Sequence, residues 1–144
     1  MGRRAIMRIG IDARGINLYK GTGIGTYTQN LLKCLLQIDR ENHYSIFWSG
    51  ENYNSYKYEN TRIILSSKKH HRFFEGSYFP ISLRDDSIDL YHIPQNGIGM
   101  SSEIACKRVC TIHDLIPYIM PETVGKGYLR NFLRLMPEII ELSD

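Results

Sequence analysis

The segment that most limits what this chain can become runs from Met7 to Leu32. Met7-Arg-Ile-Gly-Ile-Asp12 has the length and apolar content of a short strand. A polar loop follows, and Gly21-Thr-Gly-Ile-Gly25 then opens a helical stretch. In that stretch Ile24, Tyr27, Leu31, Leu32, Leu35, Leu36 and Ile38 fall at the i, i+3, i+7, i+8 spacing of one helix face. A strand feeding a glycine-rich loop and a helix N-terminus gathers backbone N–H groups and the positive end of the helix dipole at one place. Such a place suits an anion, most often a phosphate.

The same alternation of periods continues along the chain. Strand-like runs are expected at Ile6–Asp12, Tyr44–Trp48, Arg62–Leu65, Ile88–Ile93 and Arg108–His113. Helices are expected over 24–38, over His71–Leu83 with a break near Pro80, and from Val124 to Leu142 with a kink at Pro137. Ser49–Asn60, rich in Tyr, Asn and Gly, reads as a long loop. Nearly continuous apolar strands alternating with helices predict an α/β fold, an open and mostly parallel sheet covered by helices on both faces. One domain of 144 residues buries a core of its own. The terminal Glu138-Ile-Ile-Glu-Leu-Ser-Asp144 reads as stopping without a helix cap, which suggests the front part of a longer protein.

Composition excludes several classes. At 42% apolar and 23% charged residues the chain is an ordinary globular protein rather than a disordered one. No run reaches the roughly 18 apolar residues of a membrane span, and Met1-Gly-Arg-Arg4 lacks the apolar core of a signal peptide. A net charge of +3 does not point to nucleic acid. Cys34, Cys106 and Cys110 are read as buried thiols in a reducing cytosol, without the spacing or partner ligands of a zinc site.

Ligands of open α/β sheets bind at the carboxyl ends of the strands. Three clusters fall there: Asp12 and Arg14 with the loop to Gly25, His92 to Asn96 including Gln95, and His113-Asp114. Strands one, four and five can be neighbours in a doubly wound sheet, so the three loops can line one crevice. Each residue carries two readings. Gly23 and Gly25 either approach a phosphate or let the helix pack tightly. Arg14 either pairs with Asp12 or meets an anionic ligand through its planar fork. His113 either bonds a nearby carbonyl or faces a substrate, and Asp114 either orients that ring or caps the loop. Lys68-Lys-His-His-Arg72, followed by Phe73-Phe74, is either a solvated helix start or a contact for a membrane surface or an anionic acceptor lipid. Some eight residues separate Asp12 from Gly21, which disfavours a dinucleotide fingerprint and an NAD enzyme.

Ile9-Gly-Ile-Asp-Ala-Arg14, Gly21-Thr-Gly-Ile-Gly-Thr-Tyr-Thr28 with Leu31-Leu32, and Thr111-Ile-His-Asp-Leu-Ile-Pro117 with Pro121-Glu122 together resemble the N-terminal half of retaining GT-B glycosyltransferases. The nearest group is family four, which includes mannosyltransferase-like members of polysaccharide assembly. The resemblance implies a Rossmann-like, acceptor-side domain that faces a donor-binding C-terminal domain across a cleft. It implies that Gly23 and Gly25 approach the donor phosphates, and that His113, supported by Asp114, lies beside the transferred sugar. Asp12, Arg14, Gln95 and Asn96 would line the cleft on the acceptor side. The donor would be a GDP- or UDP-hexose, with no tightly bound cofactor and no required metal. The acceptor would be a glycan or lipid-linked sugar at the inner face of the plasma membrane. The family's second half, with its paired glutamates and diphosphate-gripping basic residues, is absent from these 144 residues, so the domain alone should be inactive. The alternative is a stand-alone α/β module that binds a phosphorylated ligand or a partner protein.

Overall fold

A computed structural model describes Gly2 and Arg4–Asp144; part of the N-terminal Met1–Arg4 stretch lies outside the described residues. Among the described residues there are five strands: β1 (Arg8–Asp12), β2 (His43–Ser49), β3 (Thr61–Ser66), β4 (Leu90–Ile93) and β5 (Lys107–Cys110). They form a single sheet in the order β3-β2-β1-β4-β5, with every neighbouring pair parallel. The expected α/β architecture is therefore present, and β1, β4 and β5 are adjacent as the strand pattern allows. The helices are α1 (Gly15–Leu18), α2 (Gly23–Ile38), α3 (His71–Phe73), α4 (Phe79–Asp85), α5 (Ile116–Ile119) and α6 (Lys126–Leu142).

The sheet separates two cores, and alternate residues of β2 feed both. Ile11 and Ala13 in and after β1, with Tyr44, Ile46 and Trp48 of β2, pack against Leu32 and Leu36 of α2. On the opposite face Phe47, Ile64, Tyr91 and Ile93 meet Phe79 and Leu83 of α4. Burial on both faces is why β2 reads as a nearly continuous apolar run rather than as an alternation. The Ser49–Asn60 loop tucks a turn at Tyr53–Tyr56 onto the α2 side. There Tyr56 lies 5.1 Å from the Trp48 ring and fills the space where a crossover helix would sit.

Several expectations are corrected. The buried face of α2 is Gly25, Thr28, Leu32 and Leu36; Ile38, two residues past Leu36 and so on the opposite side of the helix, is 80% exposed. Cys34 shares the outward side of α2 and is exposed, while Cys106 and Cys110 are only half-buried. The irregularity expected near Pro80 is present, directly before it. Phe74–Tyr78 is a wide turn of the i to i+5 type, and Pro80 sits in the first turn of α4, where its missing N–H costs nothing. α6 does have a cap: Ser143 Oγ donates to the Ile139 carbonyl at 2.6 Å, and the Asp144 N–H bonds to Arg108 O. β5 ends at Cys110, so His113 lies three residues beyond the strand.

Candidate functional site

β1 is flanked by β2 on one side and β4 on the other, so its carboxyl end lies where the chain's winding reverses. That is the place where open sheets leave a crevice. Asp12 ends β1 and is fully buried. Arg14, two residues on and also buried, closes a two-pronged pair with it: Nε donates to Oδ1 at 2.8 Å and Nη2 to Oδ2 at 2.7 Å. The third guanidinium nitrogen, Nη1, lies 3.0 Å from Glu75 Oε1, and the guanidinium carbon stands 4.8 Å from the centre of the Phe79 ring. Burial works against the charge on Arg14. Asp12's charge and hydrogen bonds, with Tyr91 and Glu75, more than offset this and hold the guanidinium above its ordinary range. Of the two readings for this residue, the intramolecular pair is the one present, since the fork is already occupied.

Gln95, in the loop after β4, donates Nε2 to Asp12 Oδ2 at 2.7 Å and so ties that loop to the β1 end. Asn96 has a left-handed backbone, and its Oδ1 accepts the His113 N–H at 2.9 Å, which links the β4 and β5 loops. Gly97, also left-handed, lies so close to α6 that a side chain there would run into Ile139.

The His113 ring is held on two sides. Nε2 is 2.7 Å from the Pro94 carbonyl oxygen, which can only accept, so the proton resides on Nε2. The edge of Tyr27 meets the ring at a centroid distance of 5.0 Å. Nδ1 is left without a partner in the fold and, in the tautomer with the proton on Nε2, carries the lone pair. Asp114 is exposed, and its Oδ1 accepts the Ile116 N–H at 2.9 Å, the capping arrangement for the short α5. Below them His92 Nε2 lies 2.9 Å from Thr111 Oγ1, which is 3.4 Å from the Tyr27 hydroxyl. Burial pushes the His92 pKa down, which keeps it neutral near pH 7.

The glycine loop divides between its two readings. A Cβ on Gly25 would lie 2.9 Å from the Tyr19 carbonyl carbon and closer still to its oxygen, so close packing requires glycine there. Around Gly23 there is open space. Thr22 caps α2 by accepting the Gly25 N–H, whereas the Gly23 and Ile24 N–H groups in the first turn have no carbonyl within the helix to bond.

The structure thus joins all three sequence clusters. Gln95 ties β4 to β1, Asn96 ties β4 to β5, and Tyr27 carries the start of α2 to His113. Glu75, Tyr27 and Thr111 are the members that sequence reasoning missed. Tyr27 sat in the apolar periodicity of a core face, and nothing in the pattern around Glu75 distinguishes it from a solvated acid. Among the described residues no three His, Cys, Asp or Glu side chains gather as a metal site. None of the helices described is long and apolar enough to cross a membrane. Comparison with family models, with curated proteins and with solved structures gives no significant match.

Proposed function

We propose that this chain is the acceptor-side domain of a retaining glycosyltransferase. On this reading it acts with a donor-binding domain to move a hexose from a GDP- or UDP-sugar to a glycan or lipid-linked acceptor at the inner face of the plasma membrane. The observation that carries the reading is the joining of the three motif segments at one sheet edge, with His113 held by Pro94, Asn96 and Tyr27. A ring held that firmly, with Nδ1 bare, is suited to accept a hydrogen bond from a sugar hydroxyl. The free N–H groups at Gly23 and Ile24 suit the approach of donor phosphates. Fixed donors and acceptors of this kind stabilise the charge that develops as the nucleotide diphosphate leaves. Asp114 serves by shaping the loop and Gly25 by letting α2 approach it.

The test is transfer of a labelled hexose from GDP-mannose or UDP-glucose to lipid-linked and glycan acceptors, by a polypeptide that joins this domain to a donor-binding half. His113→Ala should lower turnover on the order of a hundredfold while the far-ultraviolet circular dichroism stays unchanged. Unchanged turnover removes His113 from the site, and no transfer from any nucleotide-sugar ends the reading.

A further inference from the structure

Beside Arg14 a cavity of about 600 Å³ opens at the carboxyl ends of β1, β2 and β3, within the size range of small-ligand sites. Its charge is distributed unevenly. At the floor the single positive charge of Arg14 faces two carboxylates, Asp12 and Glu75, so an anion gains nothing there. At the rim stand Lys68, Lys69 and His71, and among the described residues none of the three has a carboxylate within ion-pair distance. Between rim and floor the wall carries the hydroxyl-bearing residues Tyr19, Ser49 and Ser66, which can exchange hydrogen bonds with the hydroxyls of a ligand.

We propose that this cavity takes a phosphorylated polyol, its phosphate at the Lys68–Lys69 rim and its hydroxyls toward Tyr19, Ser49 and Ser66. Phosphate fits better than carboxylate. The planar fork that suits a carboxylate is occupied by Asp12, whereas two ammonium groups act as point charges that match a tetrahedral dianion. The inference rests on the transferase reading for the ligand's role as acceptor, and not for its binding.

The experiment is calorimetric titration of the chain with glucose 1-phosphate, glucose and inorganic phosphate. Phosphatidylglycerol vesicles are compared with phosphatidylserine vesicles of equal charge. Glucose 1-phosphate should bind on the order of tenfold tighter than either glucose or inorganic phosphate, because only it engages both rim and wall. The double variant Lys68→Ala/Lys69→Ala, two exposed side chains whose loss leaves the fold intact, should forfeit about that tenfold. Preference for phosphatidylglycerol, competed by glucose 1-phosphate, would identify a lipid headgroup as the source; soluble binding alone would identify a free sugar phosphate. Equal affinity for glucose, indifference to the lysine variant, or no binding at millimolar concentration would overturn the proposal. Hexose transfer to a neutral acceptor without phosphosugar binding would sink this site and leave the transferase reading standing. Phosphosugar binding without transfer would do the reverse.

Discussion

Gly23 and Gly25 share one motif and one helical turn, yet a methyl group added to each should move stability in opposite directions. At Gly25 the new Cβ would press on the Tyr19 carbonyl. That oxygen accepts both the Thr22 N–H at 3.1 Å and the Thr22 hydroxyl at 2.7 Å, so pushing it away loosens the cap of α2 as well. Overpacking against backbone costs about 1–3 kcal/mol and a lost cap about 1, while alanine's helix preference returns about 1. The net cost of Gly25→Ala is about 2 kcal/mol, a fall of about 7 °C in Tm for a domain of this size. At Gly23 nothing lies within 4 Å of the added carbon and the backbone is already helical. Gly23→Ala should therefore stabilise by roughly 0.5 kcal/mol, or about 2 °C. Thermal melts followed by circular dichroism, checked by urea titration, measure both. Equal effects of the two substitutions, or a harmless Gly25→Ala, would refute the division of the motif into a packing glycine and an open one.

Three further outcomes follow from the described contacts. Arg14→Leu leaves the buried Asp12 carboxylate with no counter-charge, only hydrogen bonds from the Gln95 amide and the residue-14 backbone N–H, and should cost about 3–5 kcal/mol in urea unfolding. Adding Asp12→Asn should restore at least about 1 kcal/mol, and simple additivity of the two changes would contradict the pairing. Asp39 accepts hydrogen bonds from the Tyr44 hydroxyl, the Asn42 side chain and backbone, and the Glu41 N–H, which hold its carboxyl well below the ordinary 3.8. A folded-state value below the unfolded one gives stability that is present above pH 3.8 and drains as the pH falls beneath it. Asp39→Asn should flatten that acid limb in pH-dependent melts, and an unchanged limb would assign it to other carboxylates. Long-range proton–nitrogen NMR should find the neutral His113 ring protonated at Nε2; protonation at Nδ1 would break the proposed tie to Pro94.

β2 was legible because it is buried on both faces, with Tyr44, Ile46 and Trp48 in one core and Phe47 in the other, whereas β5 alternates exposed and half-buried positions. The meeting of the β1, β4 and β5 loops followed from the topology alone. Side-chain partnerships did not. Asp12 and Arg14 are two residues apart and could be paired on paper. The partner that occupies the rest of the guanidinium, Glu75, arrives from 61 positions away, on a wide turn that no periodicity announces. Asp114 could be placed at the edge of the site but its role could not. Whether it faced a ring or a backbone N–H depended on α5 starting one residue after Leu115. Cys34 was misjudged because a thiol among leucines looks internal until the helix phase is known.

The order of strands in the sheet has a consequence for synthesis on the ribosome. β1 emerges first and ends up central; its partner β2 begins at residue 43, but its other partner β4 begins only at residue 90. The β1–α2–β2–β3 unit is complete by Ser66 and can close its own α2-side core while the rest of the chain is still in the tunnel. During that interval the opposite face, including Phe47 and the Asp12 carboxylate, waits uncovered. Arg14 is already at hand to neutralise the acid within the nascent chain, whereas Gln95 and Glu75 lock the pair only afterwards. A charge destined for complete burial is thus neutralised locally before the long-range contacts that enclose it can form.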